Sequence, residues 1–171
     1  MKKLSLLVLL SLWLVSTVYG MENEPEGFAG IDWGTDIDTL KDMKLVQEKG
    51  EISRYLRLND KESTRKAEAR RADYFFYKDR LAAVRIPFNG ITTFNDLKLA
   101  LTEEHGEAQY QNDLLNKFVW KGEYVVIVFK YIEITKRGHI AYIYNPIAAE
   151  WDAEQKATSK QPQNDLAGLG R

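Results

Sequence analysis

Between Asp73 and Gly106 the hydrophobic pattern changes period, and the change predicts a β-hairpin feeding an amphipathic helix. Asp73-Tyr-Phe-Phe-Tyr-Lys78 is rich in aromatics and Leu81-Ala-Ala-Val-Arg-Ile-Pro-Phe88 in apolar residues, both suited to a pleated, half-buried surface. Lys78, Asp79 and Arg80 between them suit a tight turn. A two-residue loop puts Phe75 and Tyr77 on one face with Ala82, Val84, Ile86 and Phe88. It puts Tyr74 and Phe76 on the other with Leu81, Ala83 and Arg85, because side chains alternate with period two. Pro87 cannot donate to a ladder and belongs at a strand end or an edge. Asn89-Gly90 closes the strand. Phe94, Leu97 and Leu101 then recur at helical spacing, which predicts a helix over Thr93–His105 capped by Thr92 or Thr93, with Gly106 as its left-handed stop.

The remaining pattern is shorter in period. Gly30 and Gly34 bracket Ile31 and Trp33, and Thr35 or Asp36 can cap a short helix Asp36–Asp42. Strands are expected at Lys44–Glu48 and Ile52–Leu58, around Lys49-Gly50. Lys61 to Arg71 is the most polar internal stretch and reads as a loop or a solvated helix. Further strands are expected at Lys117–Lys121, Glu123–Ile132 and His139–Tyr144, and a helix carrying Trp151 over Ile147–Ala157. The residues from Thr158 to Arg171 are polar with scattered Gly and Pro and read as disordered. The sum is an α+β fold: an antiparallel sheet with short helices on one face, arranged as two tandem α-β-β-β(-β) units. Residues 28–146 form a single domain after a loose acidic N-terminus at 21–27.

The first twenty residues stand apart. Lys2 and Lys3 precede an apolar run from Leu4 to Val15, and Val18-Tyr-Gly20 ends it with residues a signal peptidase accepts. This predicts a secretory signal peptide cleaved between Gly20 and Met21. The run is shorter than the ~20 residues that span a bilayer. Cleavage leaves 151 of the 171 residues, with 22 basic against 25 acidic. That balance gives no footprint for nucleic acid. With no cysteine, the chain has no disulfide and no acylated N-terminal cysteine. The expected address is a bacterial periplasm or the medium outside the cell.

Candidate chemistry is sparse. His105 and His139 are the only histidines and lie on different elements, without the ligand spacing a zinc site needs. Ser53, Ser63 and Ser159 lack a nucleophile-elbow motif. No metal, cofactor or catalytic residue is expected. Two surfaces remain. The second face of the hairpin, with Tyr74, Phe76 and Arg85, is a candidate binding face, unless the helix carrying Trp151 covers it. Arg65, Lys66, Arg70 and Arg71 form a candidate anion-binding cluster.

Gly30-Ile-Asp-Trp-Gly-Thr35 before a short helix, and Phe94, Leu97, Leu101 and His105-Gly106 before strands, resemble a largely uncharacterised family of small exported bacterial proteins. The resemblance spans Phe28 to Pro146. The architecture is also similar to the helix-plus-sheet modules of SmpA/OmlA-type outer-membrane assembly lipoproteins and of β-lactamase-inhibitor-protein-like domains. These are interaction domains, and the resemblance brings no catalytic residues. It implies an exported, non-catalytic interaction or ligand-binding protein whose partner is an envelope protein or glycan. The alternative is a small envelope hydrolase using a carboxylate pair.

Overall fold

The structure, a computed structural model, describes residues 20–58 and 71–159. The apolar leader, Arg65, Lys66, Arg70 and the tail from residue 160 onward lie outside the described residues. The fold is α+β. A small hairpin, β1 (Gly27–Phe28) and β2 (Ile31–Asp32), precedes a single 3-10 turn at Ile37–Thr39. Four strands follow: β3 (Met43–Lys49), β4 (Ile52–Arg57), β5 (Asp73–Tyr77) and β6 (Arg80–Asn89). After α1 (Ile91–His105) come β7 (Tyr110–Asn112), β8 (Lys117–Lys121), β9 (Val125–Ile132) and β10 (Arg137–Tyr144), and α2 (Asn145–Ser159).

The eight longer strands form one antiparallel sheet in the order β3-β4-β5-β6-β10-β9-β8-β7. Two four-stranded meanders therefore lie side by side, joined through their last strands, β6 and β10. Before the first meander the expected helix over Asp36–Asp42 is only the 3-10 turn. Asp36 accepts the amide of Asp38 there, as a cap does, but the apolar stripe is too short to hold a longer helix. The outer strands carry devices that discourage further pairing: β7 has three residues, and β3 has a bulge at Val46 flanked by Lys44 and Lys49.

One bulge decides the faces of the sheet. Tyr77 pairs with Arg80 across Lys78-Asp79, whose φ angles of 47° and 64° are those a two-residue hairpin turn requires. Phe76 then pairs with Leu81, but Phe75 pairs with Ala83, so Ala82 is an extra residue. The period-two argument fails at that point. Tyr74 and Phe76 are fully buried beside Leu81, Val84 and Ile86, and Phe75 and Tyr77 share the other face with Ala83 and Arg85. The expected binding face is corrected accordingly: Tyr74 and Phe76 are core residues, and of the three only Arg85 stays on the second face.

The core under the first face consists of two clusters, one over each meander, with Trp33 and Tyr142 packed against both. Phe94 of α1 stacks on Phe129 and Tyr131 with centroids 5.0 Å apart, and Leu97 and Leu101 follow it on the same helical stripe. Each such buried side chain contributes about 1.5–3 kcal/mol. α1 starts at Ile91, earlier than expected, with Gly90 at a φ of 87° ahead of it and no side-chain cap. Trp120 is wholly buried and donates its indole N–H to the Gly106 carbonyl at 2.8 Å. Over the first meander the cover is the β1–β2 hairpin and the 3-10 turn, through Phe28, Ile31 and Ile37. α1 packs on the first face through Phe94, Leu97 and Leu101. α2 is tied to the β5–β6 turn at the end of the second face by Tyr77, Lys78 and Arg80.

Candidate functional site

Strand register assigns every side chain of the sheet to a face, and the two faces differ in charge. The second face carries Lys44 and Lys49 from β3, Arg54 from β4 and Arg80 and Arg85 from β6. It also carries Lys117 and Lys121 from β8, Lys130 from β9 and Arg137 from β10. Those are nine cations, and Asp73 is the one acid among the strand residues of this face. The whole chain, by contrast, has a net charge of -1. The charge separation arises because alternate positions of each strand are needed for the apolar core, so the cations collect on the other side.

Part of this charge is used internally. Asp73, whose side chain is 11% exposed, accepts from Arg85 at 2.7 Å and from Arg54 at 3.1 Å. The Arg85 guanidinium also lies 5.4 Å over the Phe75 ring, a cation–π contact. Arg80 pairs with Glu150 of α2, and Lys78 with Glu154, both at 2.5 Å. The Tyr77 hydroxyl donates to Glu154 at 2.5 Å, and burial together with that carboxylate pushes its pKa up to about 12. Lys44, Lys49, Lys117, Lys121, Lys130 and Arg137 make no ion pair with a described residue. His139 sits in the same field. Burial, then Arg85 and Lys130, lower its pKa below the ordinary imidazole value.

Between the cations the floor is apolar and low. Ala83 faces Ile143, which faces Val126; Ala141 faces Val128, which faces Val119. Most of these are half-buried, as neighbouring side chains of a sheet shield each other. The face thus offers a shallow aliphatic strip bordered by Arg54 and Arg85 on one side and by Lys117 and Lys130 on the other.

The other candidates fall elsewhere. Arg71 is exposed and donates to the Leu58 carbonyl at 3.2 Å, and the rest of its cluster lies outside the described residues. Met21, just after the expected cleavage site, is buried, and its amide donates to the Lys121 carbonyl at 3.0 Å. His105 is also buried, with Nδ1 3.1 Å from the Glu22 carbonyl; a carbonyl only accepts, so Nδ1 carries the proton. Among the described residues no group of three or more His, Asp or Glu is placed to hold a metal ion, and no helix is long and apolar enough to cross a membrane. Glu150 and Glu154 are held below the usual carboxylate range by Arg80 and Lys78, the direction opposite to a general acid's.

The basic face was partly legible in advance. In Lys117-Phe-Val-Trp-Lys121 the cations alternate with Phe118 and Trp120, so a strand there must turn its lysines away from the core. Register was the missing link, since only pairing shows that the cations of β3, β4, β6, β8, β9 and β10 share one side. Comparison of the chain with known protein families, with characterised proteins and with solved structures finds no match.

Proposed function

We propose that this chain is an exported, non-catalytic binding module that holds an acidic, partly apolar polypeptide on the second face of its sheet. The observation that carries the reading is the segregation of nine cations and a low aliphatic strip onto one face of a chain with a net charge of -1. A polyanion without apolar groups would leave the strip of Ala83, Ala141, Val126 and Val128 unused. Single-stranded nucleic acid stacks on open aromatic rings; on this face Phe75 is covered by Arg85, and the exposed Tyr110 ring at the outer strand has Lys117 5.9 Å over it. Export is supported by the basic start and apolar run of the leader. It is supported also by the engagement of Met21 in the fold directly after Gly20.

The test uses a labelled synthetic peptide of glutamate and leucine, with a serine-for-glutamate version as control, and reads anisotropy at two salt concentrations. The acidic peptide should bind at low ionic strength and weaken as screening shortens to about 8 Å at physiological salt. The double variant Lys117→Glu/Lys130→Glu should abolish binding while its circular dichroism stays native. Equal binding of both peptides would overturn the proposal, and so would stronger binding to an acidic glycan, to RNA or to anionic vesicles. Export is tested separately, by the mass of the protein recovered from a secreting host, which should begin at Met21.

A further inference from the structure

The side of the molecule opposite the basic face contains an open cleft of about 390 Å³, lined by Glu24, Pro25, Glu26, Trp33, Tyr124 and Tyr144. Three aromatic rings and two carboxylates therefore converge on one space, and no lysine or arginine lines it. Trp33 is held in place: its ring lies within 10° of parallel to Tyr144 at a centroid distance of 6.3 Å, and its indole N–H donates to the Pro25 carbonyl at 2.8 Å. The indole is thus fixed at one wall without having its ring face covered by a cation.

The carboxylates have different tasks. Glu24 accepts the backbone amides of Glu123, Tyr124 and Val125 at 2.8, 2.6 and 2.5 Å and so pins the turn that presents Tyr124. A side chain at Gly122 would strike that carboxylate, which shows how closely the turn wraps it. Glu26 is exposed, and its carboxylate makes no hydrogen bond or ion pair with a described residue. Glu123 adds a third negative charge at the Tyr124 hydroxyl, where its hydrogen bond raises that tyrosine's pKa.

Aromatic faces attract cations through their quadrupoles, and a net negative rim without a counter-cation strengthens that preference. A neutral sugar would also stack on Trp33 and donate hydroxyls to the free carboxylate of Glu26, but only a cation is drawn in addition by the net negative charge of the rim. We infer that the Trp33–Tyr124–Tyr144 cleft is a binding site for an organic ammonium group. Trp33 and Tyr144 supply the ring wall, Tyr124 the outer lip and Glu26 the charge partner. This site is independent of the basic face, and neither proposal requires the other.

The experiment is a titration of the mature chain with choline, followed by the shift of the Trp33 indole N–H in heteronuclear NMR and by calorimetry. Three further probes run beside it: 3,3-dimethylbutanol, the uncharged isostere of choline; a blocked lysine amide; and glucose. Choline should saturate the Trp33 resonance, and the isostere should bind at least about tenfold more weakly, the scale of one desolvated cation–π contact. Saturation by the lysine amide as well would identify an ammonium site open to protein side chains; lysine silence beside choline binding would restrict it to methylated ammonium ions. Glu26→Gln and Tyr124→Ser alter exposed residues and should each weaken choline several-fold with unchanged thermal stability. Equal binding of choline and its isostere would overturn the inference, as would glucose binding in place of choline, or no shift at Trp33 with any probe.

Discussion

Alanine at Phe76 and at Phe75 should have very different costs, although the two rings are neighbours in sequence. Phe76 is wholly buried on the core side and meets Tyr55 edge-on at a centroid distance of 5.2 Å. Removing such a ring costs about 3–5 kcal/mol, transfer and cavity together. Phe75 is half-buried on the basic face under the Arg85 guanidinium. Its removal forfeits about half of a full burial, roughly 1 kcal/mol, and a cation–π contact of about 0.5–1 kcal/mol. Against a total stability of about 5–15 kcal/mol, Phe76→Ala is near the limit of folding and Phe75→Ala is not. In urea, with a slope of about 2 kcal/mol per molar, the midpoint should fall by about 2 M for Phe76→Ala and by less than about 1 M for Phe75→Ala. The assay is equilibrium unfolding followed by circular dichroism. A larger loss for Phe75→Ala would refute the reasoning, because it would mean that Ala82 is not bulged and the faces are those of an unbroken alternation.

Two further perturbations test other parts of the fold. A β-carbon at Gly138 would come within 2.2 Å of the Phe88 ring and 2.6 Å of the Lys130 carbonyl, so Gly138→Ala should destabilise by about 1–3 kcal/mol or more, read as a fall in the urea midpoint. Glu150 and Glu154 have folded pKa values below their ordinary 4.5, so the stability they confer is present above that value and is lost as pH falls through their folded values. α2 should therefore loosen in acid before the sheet unfolds, read as a change in the emission of Trp151 below about pH 4.5; Glu150→Gln/Glu154→Gln should remove that early step.

The sequence by itself determined the fold class and most element positions. Strands at Lys117–Lys121 and helices ending at Gly106 follow from local period and from residues with special backbone freedom, which act over a few positions. It also determined that Phe94, Leu97 and Leu101 would share one buried stripe, as they do. What it could not determine was anything that depends on pairing between strands far apart in the chain. The face of Tyr74 and Phe76 turned on Ala82, where nothing in the local sequence marks the extra residue, since alanine carries no backbone signal for a bulge. The nine cations are dispersed from Lys44 to Arg137 and cancel in the overall charge, so only the register of the whole sheet collects them on one side. The aromatic cleft likewise joins Glu24 to Tyr144 across more than a hundred residues. Period and composition are local quantities, whereas a binding surface built across a sheet exists only once its strands are aligned.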